Sequence, residues 1–129
     1  MDLGLFIARI FMGLPFLAFG AFHFTNRDAM ISYVEGKGIP SPNILVPTSG
    51  TLNVLAGLGL ILGIFPQVAA WYMFAFLIVE SFLMHRFWTV QGEAQQQEMT
   101  TFLKHIGWAG AILGLVFVNE WGDILRLVG

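Results

Sequence analysis

The side chains that could do chemistry in this chain include one carboxylate in an apolar stretch and three imidazoles. Glu80 lies in "FLIVESFLMHRFW", and His85 follows five residues later. Carboxylates and imidazoles are common general acids and bases, so Glu80 and His85 are predicted to be catalytic residues that move protons. The other two imidazoles belong to His23 and His105.

The same types of side chain also bind zinc or iron. On one continuous helix, however, five residues correspond to a rotation of about 140°. Glu80 and His85 would then point in different directions, and no two of the candidates have a ligand spacing on one helix. The sequence therefore predicts no metal site.

Glu80 needs a polar partner because a charged group at bilayer depth costs roughly 2.5–3.5 kcal/mol. Asn53 is predicted at a depth similar to that of Glu80, and Lys104 nearer the same end of the bundle, so these two residues are the first expected partners of Glu80. Arg9 is predicted near the opposite side of the membrane, which makes it the second choice.

The elements that hold these residues are predicted from composition. Of 129 residues, 57% are hydrophobic and only 11% are charged, against about 25% charged in soluble domains. A membrane span needs roughly 20 apolar residues, and four segments qualify, at about residues 3–24, 48–65, 66–87 and 102–121. The prediction is an all-α, integral membrane four-helix bundle forming a single transmembrane domain over residues 1–129, with the lipid bilayer as its surroundings.

The first long loop, "TNRDAMISYVEGKGIPSPNILVP", is predicted to contain a short amphipathic helix. Thr25 or Asn26 would begin it, and Gly36 would end it. Four basic residues in the two long loops or next to them, against Arg126 on the terminal side, favour long loops in the cytoplasm. No basic run is present, so nucleic acid is not an expected partner.

Small residues are expected on the faces where membrane helices meet. In the first span, Arg9, Gly13, Phe16, Gly20 and His23 recur at intervals of four and three, which places them on one face. In the fourth span, a second stripe of small residues is predicted to face inward. Its members are Gly107, Gly110, Ala111 and Gly114.

The order of several motifs resembles the DoxX family. These are Arg9, "FGAFHF", "GKGIP", "AGLGLILGIF", "FLMHRFW" and "MTTFLKHIGWAGAILGL". Compared with the family pattern, Asn53 stands in place of a Glu, His23 in place of a Lys, Gln67 in place of an Arg and His105 in place of an Asn. Glu80 is an addition, which suggests that an inward carboxylate has moved from the second span to the third.

The resemblance implies a four-helix protein of the bacterial cytoplasmic (inner) membrane. The family takes its name from a small subunit of a thiosulfate:quinone oxidoreductase, so one hypothesis is a subunit that helps to bind or position quinone or a redox partner. Such a subunit would have no redox centre of its own. The cofactor-binding candidates are Arg9, His23, Asn53, Lys104 and His105. The alternative is a non-catalytic scaffold or assembly subunit that packs against a larger membrane complex.

Overall fold

A computed structural model describes residues 2–129 and contains five α-helices. They are α1 (Asp2–Thr25), α2 (Arg27–Gly36), α3 (Pro42–Leu62), α4 (Pro66–Met84) and α5 (Glu93–Val116), with a short 3₁₀ turn at Phe87–Thr89. Four of the α-helices are long and apolar enough to cross a membrane. The predicted all-α architecture of four spans and one short helix in the first long loop is confirmed.

The helix boundaries differ from the bounds of the predicted spans. Helix α3 begins at Pro42 rather than near Thr48, because proline is favoured in the first turn of a helix. Helix α4 ends at Met84, three residues earlier than predicted. Helix α5 begins at Glu93 and ends at Val116, so Trp121 is buried in a non-helical tail instead of closing the span.

Helices α1 and α3 form the closest contact of the bundle, and glycines make that contact possible. A Cβ atom at Gly57 would lie 2.7 Å from the carbonyl oxygen of Gly13, and one at Gly20 would lie 2.8 Å from that of Gly50. Both distances are too short for a real Cβ atom. The prediction that Gly13 and Gly20 pack closely is therefore confirmed, and their partners are Gly50 and Gly57.

The predicted inward face of the fourth span was wrong. Gly107, Gly110, Ala111 and Gly114 are exposed. A Cβ atom at any of the three glycines would have no described atom within 4 Å other than its chain neighbours and the adjacent backbone of α5. The face of α5 that packs inward carries Ala109, Ile112 and Val116. These side chains join Leu60, Met73 and Leu77 in the apolar core.

The C-terminal tail folds back onto the turn between α3 and α4. The backbone N–H groups of Leu127 and Val128 donate to the carbonyl oxygens of Leu62 and Gly63, at 3.2 and 3.0 Å. Gly63 has φ +69°, and a Cβ atom there would lie 2.5 Å from the tail backbone. The tail can therefore pack at this point only against glycine.

Arg9 holds the same end of the bundle together from inside. Its side chain is fully buried and donates to Leu60 O at 2.9 Å and Ile61 O at 3.0 Å, in the last turn of α3. The tail carbonyls of Trp121, Ile124 and Leu125 accept three further hydrogen bonds. One arginine thus caps α3, whose last carbonyls have no partner within the helix, and fixes the tail.

Candidate functional site

Glu80 and His85 lie together because α4 ends between them. After Met84 the chain leaves the helical conformation, and His85 has φ −119° and ψ 55°. This brings His85 Nε2 to 3.5 Å from Glu80 Oε1. The expected separation of about 140° assumed a helix that continued past His85, and the early end of the helix makes that expectation wrong.

His105 joins this pair from α5. Its Nδ1 lies 3.5 Å from Glu80 Oε2, and its ring centroid lies 5.0 Å from that of His85, with the two rings nearly perpendicular. One ligand-capable atom from each of the three residues lies within 4.8 Å of the other two. We refer to Glu80, His85 and His105 as the polar cluster.

A second carboxylate lies behind His85. Glu98 Oε2, on α5, is 3.6 Å from His85 Nδ1 and 3.2 Å from Lys37 Nζ. Arg86 donates a 2.7 Å hydrogen bond to the carbonyl oxygen of Lys37. The segment after α2 is therefore connected to α4 and α5 through the residues next to the polar cluster.

Glu98 was not predicted as a site residue, although the sequence contains a signal for it. Glu98 and His105 are seven residues apart, which is two helical turns, so they share a face of α5. The predicted span began only at residue 102, so Glu98 was not placed on the same helix as His105.

A largely apolar cavity of about 580 Å³ lies beside the polar cluster. All five α-helices contribute to its lining, and α2 supplies Met30, Tyr33 and Val34. Aromatic side chains of the long helices form much of the wall, namely Phe16, Phe19, Tyr72, Phe76 and Trp108. The volume is in the usual range for small-molecule pockets.

Asn53 also lines the cavity, at a different depth from the polar cluster. Its Oδ1 accepts a 2.7 Å hydrogen bond from the Tyr72 hydroxyl, while its buried Nδ2 has no hydrogen-bond partner in residues 2–129. Tyr72 precedes Glu80 by eight residues, or about 12 Å along α4. The prediction that Asn53 and Glu80 lie at similar depth was wrong, because α3 begins six residues earlier than expected.

Two predicted cofactor-binding residues lie outside the cavity lining. Lys104 is exposed, because the neighbouring His105 faces inward and successive residues of a helix are rotated by about 100°. Arg9 lies at the opposite end of the bundle, with its donors bonded to backbone carbonyls. Neither is the partner of Glu80, which is approached by His85 and His105 instead.

His23 lines the cavity but lies outside the polar cluster. Its Nδ1 is 2.6 Å from Phe19 O in the preceding turn of α1, and its Cβ packs against Gly50. His23 can therefore serve as a control for the cluster histidines, because it is an imidazole that lines the same cavity but lies outside the polar cluster.

These features define a small all-helical membrane protein with four spans and a polar cluster beside a largely apolar cavity. Among known proteins, the profile of the DoxX family matches residues 4–86, so the chain belongs to the DoxX family. The resemblance noted from the motifs is confirmed. The matched region contains Glu80 and His85 and ends before α5, which supplies Glu98 and His105.

Two relatives from Escherichia coli (strain K12) cover most of the chain. Inner membrane protein YphA is 28% identical over 115 residues, which is 89% of this chain and 82% of YphA. Inner membrane protein YqjF is 25% identical over 118 residues, which is 92% of this chain and 85% of YqjF. No solved structure matches the chain. With four candidate spans, these relatives confirm the predicted location in the bacterial inner membrane.

Proposed function

We propose that the protein binds a membrane quinone in its cavity, as a small subunit of a quinone-linked oxidoreductase system. The observation that carries this proposal is an apolar cavity of about 580 Å³ lined by Asn53, whose buried amide donor is unpaired in residues 2–129. A buried donor without a partner costs roughly 1–3 kcal/mol. A quinone carbonyl would accept this hydrogen bond, while the aromatic wall would contact the apolar ring.

In this proposal a protein partner supplies the electrons. The acid–base role predicted for Glu80 and His85 belongs to the same proposal, because both residues line the cavity. It is not required for binding, which depends on the cavity and on Asn53. His23 and His105 are further donors or acceptors in the wall, whereas Arg9 and Lys104 have no part in binding.

The experiment is photoaffinity labelling of the purified protein in lipid nanodiscs with an azidoquinone. Labelled peptides are expected to contain residues of the cavity wall. Ala75→Trp places a bulky side chain in the cavity wall and should reduce labelling, whereas Ala21→Trp, at an exposed position of α1 outside the lining, should not. Labelling that is unchanged by Ala75→Trp would refute the proposal.

A second pair of variants tests the amide donor. Asn53→Leu keeps the volume but removes the donor, and the loss of a hydrogen bond of about 1 kcal/mol should weaken binding by roughly fivefold. Asn43→Leu, at an exposed position near the start of α3, is the matched control. Thermal unfolding of each variant separates loss of binding from loss of folding.

One observation favours the alternative, a scaffold or assembly subunit. The stripe formed by Gly107, Gly110, Ala111 and Gly114 is exposed on α5, and small residues let another membrane helix approach closely. If this function is correct, Gly110→Leu should release a stoichiometric protein partner on native gels. The same variant should leave quinone labelling unchanged.

A further inference from the structure

The polar cluster leaves hydrogen-bonding groups unpaired when only protein atoms are considered. The two contacts of Glu80 with the imidazoles are both 3.5 Å long, which is longer than a good hydrogen bond. The Nδ1 atom of His105, which faces Glu80, is buried and has no hydrogen-bond partner among residues 2–129. Three ligand-type side chains therefore face one another without satisfying one another.

These distances are close to those between ligands of a single metal ion. Zn–N and Zn–O distances are about 2.0–2.2 Å, so two ligands at the tetrahedral angle lie roughly 3.4 Å apart. The two contacts of 3.5 Å, one to each carboxylate oxygen of Glu80, match that spacing. The facing atoms are Glu80 Oε1 with His85 Nε2, and Glu80 Oε2 with His105 Nδ1.

We infer that Glu80, His85 and His105 form a binding site for a divalent transition-metal ion of the zinc or iron(II) class. Two imidazoles and one carboxylate suit both ions and leave at least one coordination position free. All three residues line the cavity, so an exogenous ligand can reach the free position from there.

The surroundings of His85 match those of a metal-bound histidine. Metal-ligating histidines usually donate their second ring N–H to a carboxylate or carbonyl, which fixes the tautomer and the ring orientation. Here Glu98 Oε2 lies 3.6 Å from His85 Nδ1, on the side of the ring opposite Nε2. Glu98 is in turn held by Lys37. In this arrangement Glu98 is a positioning residue that acts through His85.

This site replaces the sequence-based expectation that no metal is bound. That expectation depended on placing Glu80 and His85 on one continuous helix, which the end of α4 at Met84 contradicts. With a metal ion bound, Glu80 and His85 act as ligands instead of proton carriers. The metal site does not depend on quinone binding, because its three ligands all come from the chain.

The test begins with chelator-treated protein in detergent, to which Zn²⁺ or, without oxygen, Fe²⁺ is added and unbound metal removed. Mass spectrometric metal analysis should give about one ion per chain. Co²⁺, used as a spectroscopic substitute, should give visible absorption bands of a low-symmetry site. Added Zn²⁺ should also raise the Tm, because it binds the folded state preferentially.

Variants locate the bound ion. Glu80→Gln, His85→Gln and His105→Gln should each abolish stoichiometric binding and the Zn²⁺-dependent rise in Tm. His23→Gln is the matched control, since His23 lines the cavity outside the cluster, and it should bind metal as the original chain does. Glu98→Gln should still bind metal but with an affinity roughly 10–100-fold lower, as expected for loss of an outer partner.

Two results would overturn the inference. One is that the unsubstituted protein is folded but retains no metal and shows no rise in Tm with Zn²⁺. The other is metal binding that survives all three cluster substitutions or is lost equally in His23→Gln. Photolabelling by azidoquinone on chelator-treated protein is measured separately. Labelling without metal binding overturns only the metal site, and metal binding without labelling overturns only the quinone proposal.

Discussion

The clearest prediction concerns Arg9, because each part of its guanidinium has a partner in the structure. Its five hydrogen bonds end on two carbonyls of α3 and three carbonyls of the C-terminal tail. Lysine has only three N–H donors against five in arginine, so at least two of these carbonyls lose their partner in Arg9→Lys. Hydrogen bonds to charged groups contribute about 1.5–3 kcal/mol each, so the substitution should cost about 3–6 kcal/mol.

The assay combines thermal unfolding in detergent with limited proteolysis. The Tm of Arg9→Lys should fall by roughly 10 °C or more. Trypsin should also cut faster after Arg126, because the tail is released from the α3–α4 turn. Mass spectrometry would detect the loss of the last three residues. Arg27→Lys is the matched control, since Arg27 is exposed in the first turn of α2.

The reasoning about Arg9 would be refuted if Arg9→Lys and Arg27→Lys unfolded at the same temperature. It would also fail if the two variants were cut after Arg126 at equal rates. Either result would mean that the tail is held without the guanidinium.

Other predictions concern packing, titration and orientation. Gly57→Ala should lower the free energy of unfolding by roughly 1–3 kcal/mol, because the new Cβ atom would lie 2.7 Å from the α1 backbone. Gly110→Ala should instead raise the free energy of unfolding by up to about 1 kcal/mol, because alanine has the higher helix propensity. Equal changes in Tm for the two variants would contradict the assigned faces. Partial burial of the ring chiefly, and then the Glu98 carboxylate, raise the pKa of Tyr33. Glu98→Gln should therefore lower this pKa in an ultraviolet titration of a variant that lacks the other tyrosine, and an unchanged pKa would place Glu98 elsewhere. A periplasmic reporter fused at Gly129 should be active if the long loops face the cytoplasm, and a cytoplasmic signal would reverse the orientation.

The number of spans was predictable from sequence because it depends on apolar length alone. The glycine contact between α1 and α3 was partly predictable, because Gly13 and Gly20 recur on one face with Arg9. The same rule failed for α5, where two opposite faces both show helical spacing. One carries glycine and alanine, the other carries His105 and Ile112, and the sequence does not say which face meets the bundle.

The site was predictable in its members but not in its geometry. Glu80, His85 and His105 were all identified from residue type. Their meeting depends on where α4 ends, and no proline or glycine marks the end at Met84.

The partners of Arg9 were missed for a different reason. A search for a carboxylate overlooks backbone carbonyls, which have no sequence signal.

The two ends of the bundle are held together in different ways, and this difference bears on access to the cavity. At one end, Arg9 and the returning tail connect α1, α3 and the C-terminus through buried hydrogen bonds to backbone atoms. At the other end, α2 covers the cavity without a single buried residue. The segment after α2 is held there by the Lys37–Glu98 ion pair, whose side chains remain about one-fifth exposed, and by the hydrogen bond from Arg86 to the carbonyl oxygen of Lys37. Ion pairs of this kind contribute only about 0–1 kcal/mol. Segments with few buried contacts open at low free-energy cost. We therefore expect α2 to be displaced more easily than the helices joined at the Arg9 end, and its displacement would widen access to the polar cluster.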